Sequence, residues 1–194
     1  MIDYIKGSVV SLTPTNLCLE CNGIGFNILI SLQTFDRLNG QSDAVVYIHH
    51  YLREDEELFY GFADRDEREL FRLLISVSGI GLATARMMLS SLTCDEIRNA
   101  ILSDDVNRIK SVKGVGVKTA QRLTLELKDK IVKGEGSVSP IALSSQNTFA
   151  DEAVSALVML GFTKQNVTKA VNSILKENPS ASLEDIIRLG LKVL

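Results

Sequence analysis

The chain has 194 residues, a formal net charge of −3 and 45% hydrophobic residues, which is typical of folded globular proteins. It contains no run of about 18 apolar residues and no charged-then-apolar N-terminal segment, so neither a membrane span nor an export signal is predicted. Three cysteines, an odd number, indicate a reducing compartment. We therefore expect a cytoplasmic protein with no membrane partner.

The positive charge is concentrated in one part of the chain. Residues 1–62 carry three basic and eight acidic side chains, whereas residues 78–133 carry ten basic and six acidic ones. Affinity for phosphates follows the local field rather than the net charge of the whole chain. Residues 78–133 are therefore the part that is predicted to bind a polyanion.

The first 62 residues predict a small β-barrel. Asn22-Gly23 is a strong hairpin signal between two of the strands. Five short strands and one helix, at 31–38, are typical of a closed barrel of the oligonucleotide-binding type. The strands are predicted at residues 2–12, 17–21, 26–30, 44–52 and 58–62.

Cys18 and Cys21 form a C-x-x-C motif, a spacing found in zinc and redox sites. In a strand, residues three apart point to opposite faces. No second cysteine pair or nearby histidine completes a ligand set. We expect packed or exposed thiols, no metal and no cofactor.

An acidic segment, residues 53–57, connects the last two predicted strands. From the residues alone it is a solvated hairpin tip that protects a sheet edge from aggregation. Adjacent carboxylates on such a tip make a poor metal site. If the tip projects at a DNA-binding face, its carboxylates would repel phosphates and limit where a duplex can lie.

Two glycine hairpins, Gly79-Ile80-Gly81 and Gly114-Val115-Gly116, repeat with an offset of 35 residues. The same offset places Thr84 on Thr119, and a helix is predicted before and after each hairpin. Glycines let a turn approach a phosphate closely, and the next helix begins with unpaired N–H groups and a positive dipole end. One G-x-G is usually an ordinary turn, but two matched copies indicate binding to a nucleic-acid backbone without sequence preference.

The helix after the second hairpin is predicted at 117–132, and Lys118 and Arg122 are i,i+4 neighbours at its start. Both can reach a phosphate from there. Residues 116–119 also resemble the end of a nucleotide-binding P-loop. That loop requires glycine directly before the lysine and a strand in front of it. Here Val117 precedes Lys118, and the segment in front is predicted to be a helix. We therefore predict no ATP site.

The C-terminal part is predicted to be a separate small bundle. Residues 133–147 are rich in Gly, Ser and Pro, as in flexible linkers. Helices follow at 149–160, 164–176 and 183–193, without a catalytic cluster. We expect docking of a partner through an exposed apolar patch around Leu157, Leu160 and Phe162; the alternative is that these residues fill the core.

The chain resembles the RuvA family over its full length. The resemblance rests on the loop Arg53-Glu54-Asp55 leading into Leu58–Phe62, on both glycine hairpins, on the linker and on the helix from Glu152 to Phe162. It implies an α+β multidomain fold with four parts. These are an oligonucleotide-binding-type barrel for assembly at 1–63, a double helix-hairpin-helix domain at 64–132, a linker at 133–147, and a three-helix ubiquitin-associated-like bundle at 148–194.

The resemblance also implies a function. Family members form a homotetramer, or two tetramers as an octamer, that holds a four-way (Holliday) DNA junction open. Both hairpins contact the duplex arms across the minor groove, and Glu54 and Asp55 match an acidic pin near the crossover. The C-terminal bundle docks the RuvB motor, which hydrolyses ATP, and the RuvC resolvase is a further candidate partner. No catalytic residue is expected in this chain.

One departure from the family concerns the cations of the hairpins. Relatives often carry lysine where this chain has Ala83 and Val117. Arg86, Lys118 and Arg122 are therefore expected to carry more of the phosphate binding here.

Three other classes of function remain open from the sequence. A single-strand scaffold would need aromatic and basic residues interleaved on the barrel, and residues 1–62 have few basic residues. A glycosylase or nuclease would need a nucleophile or a carboxylate metal cluster. A protein-only adaptor would show no salt-dependent affinity for DNA.

Overall fold

The computed structural model describes residues 2–132, 147–178 and 181–194. The chain divides into two compact units, residues 1–140 and 141–194. Apart from Asn147, where a helix begins, the predicted linker at 133–147 lies outside the described residues. Within the described ranges, no helix combines the length and the apolar character that crossing a bilayer requires.

The predicted barrel is confirmed. Five strands close in the order β1-β2-β3-β5-β4, with β3 and β5 parallel and the other pairs antiparallel. Asn22 and Gly23 form the turn between β2 and β3 with φ of 50° and 83°. The elements are β1 (Tyr4–Leu12), β2 (Asn16–Cys21), β3 (Ile24–Ile30), α1 (Leu32–Leu38), β4 (Asp43–Leu52) and β5 (Glu57–Phe62).

The barrel interior is filled by alternate residues of its strands, as the two-residue period of a strand requires. Leu17 and Leu19 on β2, Ile28 on β3, and Val46 and Ile48 on β4 are fully buried there. Removing this apolar surface from water stabilises the closed sheet.

Five helices follow among the described residues of the first unit: α2 (Arg65–Ile75), α3 (Leu82–Ser91), α4 (Cys94–Leu102), α5 (Val106–Lys110) and α6 (Val117–Val132). The start of α4 is fixed by a capping box: the Thr93 side chain accepts from the backbone N–H of Glu96, and the Glu96 side chain accepts from the backbone N–H of Thr93. Asp105 caps α5 by accepting from the backbone N–H of Arg108 at 3.0 Å.

Strand β5 of the barrel also contributes to the core of the helices. Phe71 of α2 contacts Tyr60 and Phe62 of β5, with ring centroids 5.3 and 4.9 Å apart. The Gln33 amide of α1 donates to the carbonyls of Leu89 and Leu92 at the end of α3, at 2.5 and 2.8 Å. Residue 63, where a domain boundary is predicted, lies between β5 and α2 of the first compact unit.

A buried polar network joins α1 to α2. Glu67 is 1% exposed and accepts hydrogen bonds from Ser31 Oγ and from Thr34 Oγ1, the second at 2.8 Å. Thr34 Oγ1 in turn accepts from the backbone N–H of Ala63 at 3.0 Å. Burial raises the pKa of Glu67, although the two hydroxyl donors oppose this.

The second unit contains α7 (Asn147–Met159), α8 (Lys164–Glu177) and α9 (Leu183–Val193). Its core includes Leu157, which is fully buried with Val167 and Ile186. The prediction that Leu157 belongs to an exposed patch is therefore wrong: its position on α7 faces the other two helices.

Candidate nucleic-acid interface

The two glycine hairpins adopt the same turn. Gly79 and Gly114 have φ of 95° and 92°, a region that side chains disfavour. The backbone N–H of Ile80 donates to Val77 O at 3.0 Å, and that of Val115 donates to Val112 O at 3.1 Å. The repeat seen in the sequence is thus a repeat of backbone conformation.

Each hairpin leads directly into a helix. Gly81 is the N-cap of α3 and has no side chain to cap the first amides. Ala85 N donates to Gly81 O and Ala120 N donates to Gly116 O, both at 2.9 Å, so α3 and α6 begin alike. The second glycine of each hairpin is exposed. The first amides of these helices form positive dipole ends that attract anions.

The hairpins lie next to each other. A Cβ on Gly79 would lie 3.6 Å from Thr119 Oγ1, and one on Gly114 would lie 4.0 Å from Thr84 Oγ1. Each predicted threonine therefore sits, half-buried, beside the turn of the other repeat. The arrangement is reciprocal, as in a pseudo-twofold pair.

The predicted cations have different surroundings. Lys118 is exposed and forms no ion pair within the described part of the chain. Arg122 Nη1 donates to Ser78 O in the first hairpin at 3.2 Å, and its Nε lies 3.8 Å from the Glu126 carboxylate. Arg86 Nη1 donates to Thr15 O, in the turn between β1 and β2, at 3.2 Å. Both arginines keep further donors, because a guanidinium has five.

Three residues near the hairpins bear on which cations can contact a phosphate there. Ala83 and Val117 are exposed, so a lysine at either position would reach solvent. Lys113, directly before Gly114, is an exposed cation that the sequence expectations do not include. Its signal was present in the sequence as a basic residue inside the second turn.

The acidic tip is the turn between β4 and β5. Arg53 N donates to Glu56 O at 2.8 Å, which closes the turn. Glu54 and Asp55 are exposed and form no hydrogen bond or ion pair with any residue described. Tyr51 and Leu58, on the strands below, pack against the core of the helices. The base of the tip is thereby held against the helical part of the unit.

The predicted docking residues of the second unit differ in exposure. Leu160 is 61% exposed, whereas Phe162 is half-buried against the core. Met159, which the sequence analysis did not single out, is 88% exposed beside Leu160. The sequence indicates Met159 only through its position near the end of a predicted helix, next to Leu160, which was predicted to be exposed.

The described residues contain no group of three or more His, Cys, Asp or Glu side chains that could hold a metal ion. Cys18 and Cys21 are half-buried on β2. Burial raises the pKa of Cys94 to about 12, so its thiol is a poor nucleophile.

Comparison with known proteins covers nearly the whole chain. Residues 1–61 match the family model for the RuvA N terminal domain, residues 71–129 that for a SAM-like helix-hairpin-helix tandem, and residues 148–194 that for the RuvA C-terminal domain.

Curated relatives match over their full length. The chain is 50% identical to a protein of Christiangramia forsetii over 194 residues, covering all of both chains. It is 47% identical to one of Bacteroides fragilis over 199 residues, covering 99% of each. A protein of Porphyromonas gingivalis is 43% identical over 205 residues, with full coverage of both. All three are named Holliday junction branch migration complex subunit RuvA.

The fold and the paired hairpins define a class, that of proteins which join a closed five-strand barrel to a tandem helix-hairpin-helix unit. Within this class, the similarity over the full length is decisive. The chain belongs to the RuvA family.

Proposed function

We propose that this protein binds four-way DNA junctions without sequence preference, holds them open and recruits a RuvB-type motor for branch migration. The relatives are named as subunits of a Holliday junction branch migration complex. The binding groups are the exposed hairpin amides of Gly79, Gly81, Gly114 and Gly116, assisted by nearby cations. Such contacts go to phosphates and carry no sequence information.

The observation that carries this proposal is the reciprocal pair of turns. Two identical turns, each followed by a helix start, offer two anion-binding ends side by side on one compact unit. A single turn of this kind would grip one phosphate weakly. Two turns per subunit, repeated in a homotetramer, add by effective concentration.

The other parts have supporting roles in this proposal. Glu54 and Asp55 act as the acidic pin, which repels phosphates near the crossover and assists strand separation. The second unit docks the motor, with Leu160 as the exposed member of the predicted patch. ATP hydrolysis belongs to the motor, and this chain is the non-catalytic, cytoplasmic DNA-binding subunit. Assembly as a tetramer or octamer and a shared complex with a RuvC resolvase belong to the same proposal.

The test compares binding of the full chain to a four-way junction and to linear duplex of the same sequence across a salt series. We expect tighter binding to the junction and an affinity that falls steeply with salt, because phosphate contacts release counterions. Equal affinity for the two DNAs would contradict junction binding. Affinity that is independent of salt would favour the protein-only adaptor, and magnesium-dependent cleavage by the pure protein would favour an enzyme.

A further inference from the structure

The two hairpins have the same backbone conformation but differ in the lysines around them. The positions of Lys113 and Lys118 in the second repeat correspond to Ser78 and Ala83 in the first, at the offset of 35 residues. The first hairpin therefore has no lysine at either position. Its nearest cation in the following helix, Arg86, uses one N–H to bind Thr15 O in the barrel.

The cations of α4, α5 and the later part of α6 are mostly paired. Arg98 lies 2.8 Å from Asp66, Arg108 lies 2.7 Å from Glu96, and Lys128 is paired with Asp104. A paired cation must give up or share its carboxylate before it can neutralise a phosphate. These side chains are therefore poor candidates for displacing counterions from DNA.

Two of the unpaired cations among the described residues, in contrast, lie at the second hairpin. Lys113 and Lys118 are exposed, and neither forms an ion pair among residues 2–132, 147–178 and 181–194. Lys113 and Gly114 are the two central residues of the turn closed by Val115 N and Val112 O. Lys118 is the second residue of α6. The two lysines thus flank the exposed amides of this hairpin.

We propose that Lys113 is a further phosphate-binding residue, and that Lys113 and Lys118 make the second hairpin the main ionic contact with the DNA backbone. The first hairpin then binds a phosphate through its backbone amides, without a lysine of its own and with the Arg122 guanidinium of α6 beside it. This inference rests on the proposed function, since it assigns unequal roles to two turns that the function uses together. It also explains how the chain binds phosphate with Ala83 and Val117 at positions where relatives often carry lysine.

The experiment measures the slope of log affinity against log salt concentration for the full chain and a four-way junction. Lys113→Ser places the residue of the first hairpin in the second, and Lys118→Ala removes the neighbouring cation. We expect each change to make the slope shallower by about 0.9 for every subunit bound to the DNA. Lys113→Gln, with a side chain of similar length, is expected to act like Lys113→Ser.

Lys130→Ala is the matched control, because Lys130 is a lysine of the same helix about 18 Å further along its axis than Lys118. We expect its slope to equal that of the wild type. An unchanged slope for both Lys113 variants overturns the assignment, even if the wild type still prefers the junction. An equal loss with Lys130→Ala would show a general charge effect and would also overturn it.

The first hairpin gives a test in the opposite direction. Ser78→Lys adds a cation at the position that corresponds to Lys113, and we expect a slope steeper by about 0.9 for every bound subunit. An unchanged slope would overturn the assignment of the first hairpin to the backbone. A wild type that does not prefer the junction over duplex is a different result, since it contradicts the proposed function itself.

Discussion

The proposed role of Glu54 and Asp55 depends on the position that the fold gives to their side chains. Both carboxylates are exposed at the tip between β4 and β5, and they have no partner in the described part of the chain that would neutralise them. The strands below the tip are anchored, because Tyr51 and Leu58 pack on the helical core. Held in this way, the two negative charges keep a defined place on the first unit, as the proposed acidic pin requires.

The double variant Glu54→Gln and Asp55→Asn tests this role. Removing like-charge repulsion of about 1 kcal/mol is expected to tighten junction binding by about fivefold and to change the rate of motor-driven branch migration. Both are measured with the full chain, by junction titration and by a strand-exchange assay with the motor. Glu20→Gln, a change at an exposed carboxylate on β2, is the control. If binding and branch migration both stay at wild-type values, the repulsive role is wrong.

At the scale of elements, the contact between α1 and α2 depends on one buried carboxyl group. Glu67 is satisfied by the hydroxyls of Ser31 and Thr34, and Ser31 Oγ also accepts from Thr34 N at 3.1 Å as the cap of α1. Burial favours the neutral form and raises the pKa of Glu67. Because α2 lies between the barrel and the hairpins in the chain, this network helps to hold the two together.

The raised pKa predicts a pH dependence of stability. The unfolded chain loses the Glu67 proton near the ordinary value of about 4.3, whereas the folded chain retains it to higher pH. The free energy of unfolding of the wild type, relative to Glu67→Gln, should therefore fall as pH rises through this interval and then level off. Urea unfolding followed by tyrosine fluorescence reports on this unit, since all 4 tyrosines lie in residues 1–62. A relative stability that rises with pH would contradict the prediction.

At the scale of the whole molecule, the proposed DNA-binding surface and the proposed docking surface belong to different units. The hairpins and the acidic tip belong to the first unit, whereas Leu160 and Met159 are exposed on the second. Leu157 near the end of α7 and Leu160 directly after this helix therefore have different surroundings. Leu157 stabilises the bundle, and Leu160 is available to a partner.

The pair Leu157→Ala and Leu160→Ser tests this division. Leu157→Ala should destabilise the second unit by about 2–5 kcal/mol, as for other buried leucines. Leu160→Ser should change stability by less than about 0.5 kcal/mol and still weaken recruitment of the motor. Thermal unfolding and a motor pull-down measure the two effects, and junction affinity is expected to be unchanged in both variants. Normal motor recruitment by Leu160→Ser would remove Leu160 from the docking surface.

Much of the architecture was predictable because local signals and the fold agree. The strand pattern with Asn22-Gly23 predicted the barrel, and the capping box at Thr93 fixed the start of α4. Helix α6 has the predicted bounds, Val117–Val132. Caps, turns and periodicity depend on residues close together in the sequence, so they can be recognised before the fold is known.

The sequence by itself determined the repeat, the acidic tip and the elements that carry them, because each depends on residues close together in the chain. Only the tertiary structure decided which side chains are free. It buried Leu157 and placed the first glycine of each hairpin beside the threonine of the other repeat. It also bonded Arg86 and Arg122 to distant carbonyls. Burial and pairing depend on contacts between residues far apart in sequence, so they cannot be recognised from a local sequence pattern.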